Sequence, residues 1–178
     1  MKTQKLGKSE LVSTRLSFGN MRCVGTWTPA EATAEKRAQG VKSHIAAYES
    51  GYTLFDTADI YCRGVCEEVL GQTLREVAGM RDRILITTKC GIRFGSDPKP
   101  DSPHRYDFSA EYIQWSCEQS LKRIGIETID IYHLHRPDLL MNPPEVAEAF
   151  TKLKKAGKVR EFAVSNFLPT TLSALQAH

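Results

Sequence analysis

Short apolar segments alternate with longer segments of helical periodicity along this chain, and that alternation restricts its fold more than any other feature. The short segments are rich in Ile, Leu, Val, Thr and Phe, a composition that indicates buried strands. They cover residues 16–21, 53–57, 84–89, 129–134 and 159–165. Consecutive parallel strands need a crossover helix between them, so the alternation predicts an α/β fold with a parallel sheet.

A glycine ends each helical segment shortly before the next strand begins. The residue after a helix often adopts a left-handed conformation, which only glycine reaches without a steric penalty. The four glycines at these joints are Gly51, Gly79, Gly125 and Gly157. Four helix–glycine–strand joints indicate a repeated strand–helix unit.

The length of the repeat is compatible with two known architectures. The predicted strands begin about every 36 residues, so eight units would need roughly 290 residues, the size of an eight-fold β/α barrel. The chain has 178 residues and accommodates five units. The pattern alone leaves two folds open, a complete five-stranded doubly wound sheet and a partial barrel.

Composition excludes several classes of function. The chain has 24 Lys and Arg against 21 Asp and Glu, a net charge of +3, which is too small for a nucleic-acid-binding surface. No apolar run approaches the roughly 18 residues of a transmembrane helix. Five cysteines without an apolar N-terminal signal stretch indicate reduced cytosolic thiols. We therefore expect a cytoplasmic protein that binds neither nucleic acid nor membrane.

Polar side chains follow four of the five predicted strands, at the positions where a barrel carries its functional residues. They are Asp56 and Tyr61 at and beyond the end of the second strand, Lys89 at the end of the third, His135 just beyond the fourth, and Ser165 and Asn166 at the end of the fifth. No G-x-G-x-x-G motif follows the first strand, so a Rossmann dinucleotide site is not expected. Cys62 and Cys66 lack a second cysteine pair, which argues against a structural zinc site.

Four of these residues have the chemistry of carbonyl reduction, which delivers a hydride to carbon and a proton to oxygen. Tyr61 would be a poor acid, with a pKa near 10, until a nearby cation stabilises its phenolate. Lys89 is a candidate for that cation, Asp56 for the group that holds it, and His135 for the hydrogen-bonding partner of the substrate oxygen. His133 shares a strand face with His135, so a metal site formed by the two histidines is an alternative.

Four segments resemble the aldo-keto reductase superfamily, in sequence and in order. They are F-D-T-A-D-I-Y at 55–61, T-T-K-C-G at 87–91, D-I-Y-H-L-H-R-P at 130–137 and V-S-N-F at 164–167. The combination of K-C-G, H-R-P-D and S-N-F is similar to the bacterial oxidoreductase subgroup of that superfamily. The resemblance spans the whole chain and implies a β/α fold of the TIM-barrel family, in which NADPH binds without a Rossmann domain.

The resemblance also implies roles for individual residues. Tyr61 matches the proton donor, and Asp56, Lys89 and His135 complete the catalytic tetrad. The residues implied in cofactor binding are Ser165 and Asn166, which match the pair on the nicotinamide carboxamide, together with Asp56, Met21 and Arg22. The implied substrate is a small-molecule carbonyl. NADPH is the favoured cofactor, NADH is the other candidate, and no metal is expected.

The family barrel has eight units, so we expect residues 1–178 to be the N-terminal part of an aldo-keto reductase domain. In the family, the last three units carry a Gln and an aromatic residue at the nicotinamide, and basic residues at the adenosine phosphate. Two other functions stay open beside the reductase. The first is a truncated aldo-keto reductase-like protein without catalysis, either a relic or a binding protein. The second is a metal-dependent barrel hydrolase that uses the two histidines. We also expect self-association through open sheet edges and poor turnover by this chain alone.

Overall fold

Five parallel strands form the main sheet of the computed structural model, which describes residues 1–177. Their order across the sheet follows their order in the sequence. A doubly wound sheet would reverse its strand order at one point, so the observed order confirms the prediction of a partial β/α barrel. One short antiparallel hairpin precedes the sheet, and a second follows its third strand.

The described part of the chain contains nine strands and five α-helices. The strands are β1 (Thr3–Lys5), β2 (Val12–Thr14), β3 (Phe18–Gly19), β4 (Leu54–Asp56), β5 (Leu85–Cys90), β6 (Ile92–Arg93), β7 (Arg105–Tyr106), β8 (Ile129–Leu134) and β9 (Val159–Val164). The helices are α1 (Ala34–Glu49), α2 (Val65–Glu76), α3 (Ala110–Ile124), α4 (Pro143–Lys155) and α5 (Pro169–Gln176). The main sheet has the order β3-β4-β5-β8-β9. Among residues 1–177, none of the helices combines the length and the apolar character needed to cross a bilayer.

Strands β8 and β9 coincide closely with the predicted segments, whereas β3 and β4 are shorter than predicted. The chain beyond both short strands still follows the sheet. The Asn20 N–H donates to the Asp56 carbonyl at 2.8 Å, and the Thr57 N–H donates to the Thr87 carbonyl at 2.8 Å. These bonds hold the ends of β3 and β4 as loops at the carboxyl edge of the sheet, where the polar side chains were predicted.

The helix boundaries follow local sequence signals. The four glycines predicted at the helix–strand joints all have positive φ, between 71° and 86°. Gly125 follows α3 directly, and its N–H donates to the Leu121 carbonyl at 2.8 Å. At the other end of α3, the Ser109 hydroxyl accepts a hydrogen bond from the Tyr112 N–H, as an N-cap residue does. Backbone conformation and capping therefore agree on where the helix begins and ends.

The main sheet has one apolar face and one polar face. On the apolar face, Phe55, Ile86 and Tyr132 are fully buried in clusters formed with helix residues. On the other face, Lys89 and His133 are paired in register across β5 and β8. Because side chains alternate along a strand, the core lies on the helix side and the candidate chemistry lies on the opposite side.

A buried ion pair joins two helices behind the strand that carries Lys89. Glu67 of α2 is fully buried, and its carboxylate accepts a hydrogen bond from the Arg123 guanidinium of α3 at 2.6 Å. Thr88 of β5 donates to the other carboxylate oxygen. Because an unpaired buried carboxylate costs several kcal/mol, these contacts fix α2, α3 and β5 relative to one another.

Gly71 is a point of close contact between α2 and α3. A Cβ at this position would lie 2.5 Å from the Ile124 carbonyl oxygen, a backbone atom that a side-chain rotation cannot move. In an open helix a Gly→Ala substitution stabilises by about 1 kcal/mol. Here we expect Gly71→Ala to lower the free energy of unfolding by about 1–3 kcal/mol, as measured by urea titration.

The matched control for that substitution is Gln72→Ala, one residue further along α2. The Gln72 side chain donates to the carboxylate of Glu76 on the helix surface. Its replacement should change the free energy of unfolding by less than about 0.5 kcal/mol. A Gly71→Ala variant more stable than the wild type would show that the two helices are not in close contact there.

Candidate active site

The carboxyl edge of the main sheet opens into a cavity of about 560 Å³. The side chains predicted to act together, Asp56, Tyr61, Lys89 and His135, all line it. Asp56 is the last residue of β4, Lys89 precedes the last residue of β5, and His135 directly follows β8. The parallel pairing of these strands brings the four side chains to one end of the sheet.

The ammonium group of Lys89 is the centre of this site. Lys89 is only 6% exposed, and its Nζ lies 2.7 Å from Asp56 Oδ1 and 2.8 Å from Asp56 Oδ2. Nζ also donates to the Thr57 carbonyl at 2.7 Å and lies 3.5 Å from the Tyr61 hydroxyl. The buried cation is therefore paired with a carboxylate, a carbonyl and, more distantly, the phenol.

The phenol of Tyr61 is a weaker acid than the sequence predicted. Burial, followed by the negative charge of Asp56, raises the pKa of Tyr61 to about 12. In the free site, burial and the Asp56 charge outweigh the expected stabilisation of the phenolate by Lys89, whose ammonium is 3.5 Å from the phenol and is paired with the nearer carboxylate. Tyr61 consequently keeps its proton throughout the neutral pH range.

Two neutral histidines lie on the other side of the ammonium. Burial, followed by the positive charge of Lys89, lowers the pKa of both His133 and His135 to about 4. The His135 ring makes an edge contact with the Tyr61 ring, with centroids 5.8 Å apart. His133 also lines the cavity. Across residues 1–177, no three His, Cys, Asp or Glu side chains converge to hold a metal ion.

Ser165 and Asn166 follow β9 and complete the polar wall of the cavity. Asn166 has a left-handed backbone, with φ of 64°, which asparagine tolerates better than most residues. Its side-chain Nδ2 donates to the Ser165 hydroxyl at 2.7 Å and to the His135 carbonyl at 3.1 Å. The structure therefore brings this predicted pair next to the predicted tetrad.

The two residues predicted after the first strand differ in their positions. Met21 lines the cavity of the tetrad. Arg22 does not line it, because its guanidinium lies over the Trp27 ring, 5.5 Å from the ring centroid. Arg22 instead borders a neighbouring cavity with Lys36 and Ser43. Of this pair, only Met21 stands beside the candidate chemistry.

The sequence analysis missed the apolar wall of the cavity. Trp27, Ile60 and Ile92 line it, and the Trp27 ring stands edge-on to the Tyr61 ring, with centroids 6.2 Å apart. A tryptophan shortly after the first strand was a usable signal, because it lies at the same edge of the sheet as the predicted tetrad. Ile60 and Ile92 carried no such signal, since their type fits the core equally well.

Asp59 is a second acidic residue close to the site, on the helix side of the sheet. Its carboxylate accepts a hydrogen bond from Ser116 at 2.9 Å, and its N–H donates to the Lys89 carbonyl at 3.2 Å. Burial, followed by the charge of Glu67, raises the pKa of Asp59 to about 7. Asp59 belongs to the 55–61 segment of the sequence analysis but was not among the candidate site residues.

A run of left-handed residues directly follows Tyr61. Cys62, Arg63 and Gly64 have φ of 47°, 51° and 92°. A left-handed backbone costs roughly 1–2 kcal/mol at a non-glycine residue, so packing must hold the first two. Burial of Cys62 and the stacking of the Arg63 guanidinium 4.1 Å from the Phe94 ring centroid supply that packing. The strained turn connects Tyr61 to the start of α2 at Val65.

Buried titratable groups give the fold a predictable dependence on pH. Burial lowers the pKa of His44, as of His133 and His135, to about 4, so between pH 4 and 6.5 the unfolded chain binds more protons and stability falls with acidification. Asp59, with its pKa raised to about 7, acts in the opposite direction over this range. The three histidines outweigh the one aspartate by two protons. The free energy of unfolding should therefore fall by up to about 2.7 kcal/mol for each pH unit of acidification.

Urea titrations at pH 6.5 and 4.5 measure this dependence, and Asp59→Asn isolates its opposing part. The asparagine cannot take up the proton that Asp59 binds in the folded state. The slope of the unfolding free energy against pH should therefore become steeper by the amount that corresponds to about one bound proton. An Asp59→Asn variant with a shallower slope would show that the Asp59 carboxyl is ionised in the fold.

Comparisons with known proteins agree with the arrangement of the cavity. The sequence model of the Aldo/keto reductase family matches residues 15–178. An uncharacterized oxidoreductase of Bacillus subtilis (strain 168), YcsN, is 47% identical over 67% of this chain and 40% of its own length. A 6-dehydroglucose reductase of Novosphingobium aromaticivorans is 34% identical over 97% of this chain and 54% of its own length.

A solved structure shows the same likeness in three dimensions. The glycerol dehydrogenase AKR11B4 from Gluconobacter oxydans superposes on this chain with a TM-score of 0.85 at 27% sequence identity. The match covers 98% of this chain and 51% of that protein. The chain thus spans about half the length of the proteins that it matches.

Proposed function

Because this chain belongs to the aldo/keto reductase family of oxidoreductases, we propose that it transfers a hydride between NADPH and a small-molecule carbonyl, with Tyr61 as the proton donor. One observation carries the proposal. A protonated phenol, a buried ammonium paired with a carboxylate, and a neutral imidazole line a single cavity. These are the groups that general acid catalysis of carbonyl reduction needs.

The residues after β9 fit the carboxamide of a nicotinamide. Ser165 accepts a hydrogen bond from Asn166 and keeps its own hydroxyl proton to donate. Asn166 Oδ1 has no protein donor among the described residues, so it is available as an acceptor. A primary carboxamide offers the complementary acceptor and donor. When bound, NADPH, or NADH in its place, supplies the hydride, and Met21 and Asp56 are the proposed neighbours of the ring.

The raised pKa of Tyr61 suits a donor that protonates an alkoxide. An alcohol is about as weak an acid as water, whose pKa is ~15.7, so the alkoxide formed at the carbonyl is a strong base. Tyr61, at a pKa of about 12, is the stronger acid by about 4 units, or roughly 5 kcal/mol. Proton transfer is therefore downhill once hydride has reached the carbon, although Tyr61 holds its proton until then.

The neighbours of Tyr61 prepare this transfer. Lys89 Nζ, 3.5 Å from the Tyr61 hydroxyl, stabilises the tyrosinate that remains after the proton has left. Asp56 holds the ammonium in place through both carboxylate oxygens. The neutral His135 ring beside Tyr61 can hydrogen-bond the substrate oxygen without adding charge, which orients the carbonyl towards the acid.

The lining of the cavity indicates what kind of carbonyl it accepts. Trp27, Ile60 and Ile92 form an apolar wall opposite the polar tetrad, so we propose a small substrate with one apolar side. Two similar proteins are named a 6-dehydroglucose reductase and a glycerol dehydrogenase, names that describe oxidation and reduction of small molecules. Those names support the reaction type proposed for this chain.

Tyr61→Phe tests the proton donor. It removes only the hydroxyl, so we expect NADPH oxidation with an activated aromatic aldehyde to slow by at least about 100-fold. Quenching of NADPH fluorescence on binding should change little, because the phenol is not a proposed cofactor contact. The assay uses the chain in excess over NADPH, so that a slow single turnover is measurable by absorbance.

The matched control is Tyr112→Phe, which removes a hydroxyl from another buried tyrosine that does not line the cavity. That variant should keep the wild-type rate. Equal loss of binding and turnover in Tyr61→Phe would place Tyr61 in the cofactor site instead. A wild-type chain that binds NADPH without oxidising it would indicate a binding protein rather than an enzyme.

We also propose that the chain associates with itself through the outer strands of its main sheet. Among the described residues, β3 and β9 each pair with one neighbouring strand, and their free sides offer backbone groups to a second sheet.

Sedimentation velocity should show a mass that rises with concentration. Ala163→Lys, which puts a charge on β9, should increase the monomer fraction, whereas Thr151→Lys on the exposed side of α4 should not.

A further inference from the structure

One charged side chain in the cavity of the tetrad has no part in the proton transfer described above. The charged residues that line this cavity are Asp56, Lys89 and Arg136. Asp56 and Lys89 neutralise each other in their ion pair. The lining therefore carries one uncompensated positive charge, which belongs to Arg136, the residue directly after His135.

The Arg136 guanidinium is not neutralised by the chain itself. Across residues 1–177, no acidic side chain forms an ion pair with it. Asp138, the acidic residue closest to it in the sequence, instead accepts a hydrogen bond from the Leu140 N–H at 2.9 Å. Since Arg136 is an exposed residue that lines the cavity, its charge is accessible to a ligand that enters there.

We propose that Arg136 binds a carboxylate of the substrate, so that this site reduces aldehydes or ketones that also carry a carboxylate group. The inference rests on the proposed reductase function and specifies the substrate class of the same site. A guanidinium presents its N–H donors as a planar fork, which matches the two oxygens of a carboxylate. The bound carboxylate also cancels the uncompensated charge of the lining.

The backbone on both sides of Arg136 is constrained, which gives its side chain a defined origin. The His135 N–H donates to the Cys90 carbonyl at 2.9 Å, and the His135 carbonyl accepts a hydrogen bond from Asn166 at 3.1 Å. On the other side, Pro137 has a fixed φ and disfavours a helical conformation at Arg136. Arg136 is thus held beside His135, the residue proposed to hydrogen-bond the substrate carbonyl.

The apolar wall of the cavity indicates what connects the two polar ends of such a substrate. Trp27, Ile60 and Ile92 line the same cavity as Arg136. A hydrocarbon linker packs against these side chains without leaving polar groups unpaired, whereas a hydroxylated linker does not. We therefore expect a carbonyl at the proton donor, an apolar linker such as an aromatic ring, and a carboxylate at Arg136.

The test compares 4-carboxybenzaldehyde with 4-formylbenzamide, two aldehydes of similar size of which only the first is charged. NADPH oxidation is followed in single turnover, with the chain in excess over NADPH and increasing concentrations of each aldehyde. Because hydrogen bonds to charged groups are stronger than neutral ones, the second-order rate constant of the acid should exceed that of the amide about 10–100-fold. The 3-substituted pair places the charge at another distance from the carbonyl, and a preference within either pair supports the proposal.

Substitution of Arg136 tests whether this residue is the source of the preference. Arg136→Gln removes the charge and keeps a polar side chain, so the ratio of the two rate constants should fall to near unity. Arg136→Lys should keep part of the preference, because an ammonium retains the charge without the fork. Both aldehydes need the same proton donor, so an effect of the substitution on Tyr61 cancels in the ratio. The matched control is Arg15→Gln, at an exposed arginine outside the cavity, which should leave the ratio at its wild-type value.

A binding measurement separates the carboxylate site from the reductase function. The chain is titrated without NADPH with benzoate and with benzamide, and the indole N–H signals of its two tryptophans are followed by NMR. Trp27 lines the cavity of the tetrad, whereas Trp115 lines a different one. Benzoate should shift the Trp27 signal at a concentration at least about 10-fold lower than benzamide does, and Arg136→Gln should remove that difference. This result in a chain that does not oxidise NADPH would count against the reductase function and not against the carboxylate site.

Other results would overturn the proposal. Equal rate constants for acid and amide in both isomeric pairs, or equal binding of benzoate and benzamide, would show that the cavity does not recognise a carboxylate. A preference that persists in Arg136→Gln would assign it to another cation. Loss of NADPH fluorescence quenching in that variant, with the aldehyde ratio unchanged, would place Arg136 against the anionic cofactor instead. The wild-type comparisons give their answer even if a variant fails to fold.

Discussion

The buried ammonium of Lys89 constrains the sheet as well as the chemistry. A cation in a dry environment is tolerated only when it is paired and hydrogen-bonded, and here its two closest partners, Asp56 and the Thr57 carbonyl, come from the end of β4. Asp56 pairs in register with Thr87, two residues before Lys89. A slip of one residue would turn Lys89 towards the apolar cores behind the sheet, so the ion pair selects the register that also builds the cavity.

A second polar network lies behind the same strand and serves a structural purpose. Thr88 points away from the cavity and donates to Glu67, which Arg123 neutralises. Thr88 and Lys89 are adjacent, so neighbouring residues of β5 are held by charges on opposite faces of the sheet. This arrangement makes the position of Lys89 depend on the packing of α2 and α3, although neither helix supplies a residue to the tetrad.

Sequence reasoning predicted the structure correctly where a residue type fits only a few structural roles. Parallel strands, glycine-terminated helices and the meeting of Asp56 with Lys89 follow from periodicity and from the position of polar residues at strand ends. It was less informative where the outcome depends on competing distances. Burial, followed by the negative charge of Asp56, raises the pKa of Tyr61, and the ammonium lies nearer to Asp56 than to the phenol. Arg22 contacts Trp27 rather than the cavity, a choice that the order of residues does not determine.

The charges of the cavity explain why a weak acid is an advantage there. Lys89 and Asp56 form an ion pair, His133 and His135 are neutral, and Tyr61 is protonated, so these groups together carry no net charge. In the proposed reaction, hydride transfer places a negative charge on the carbonyl oxygen, in a low-dielectric space where a charge without a close partner is costly. As the proposed proton donor, Tyr61 moves that charge to its own phenol oxygen. Lys89 is the one member of the tetrad that is a cation near this oxygen. An acid with a pKa below the ambient pH would lose its proton to solvent before the alkoxide formed, so in the proposed reaction the high pKa of Tyr61 keeps proton delivery coupled to the reduction step.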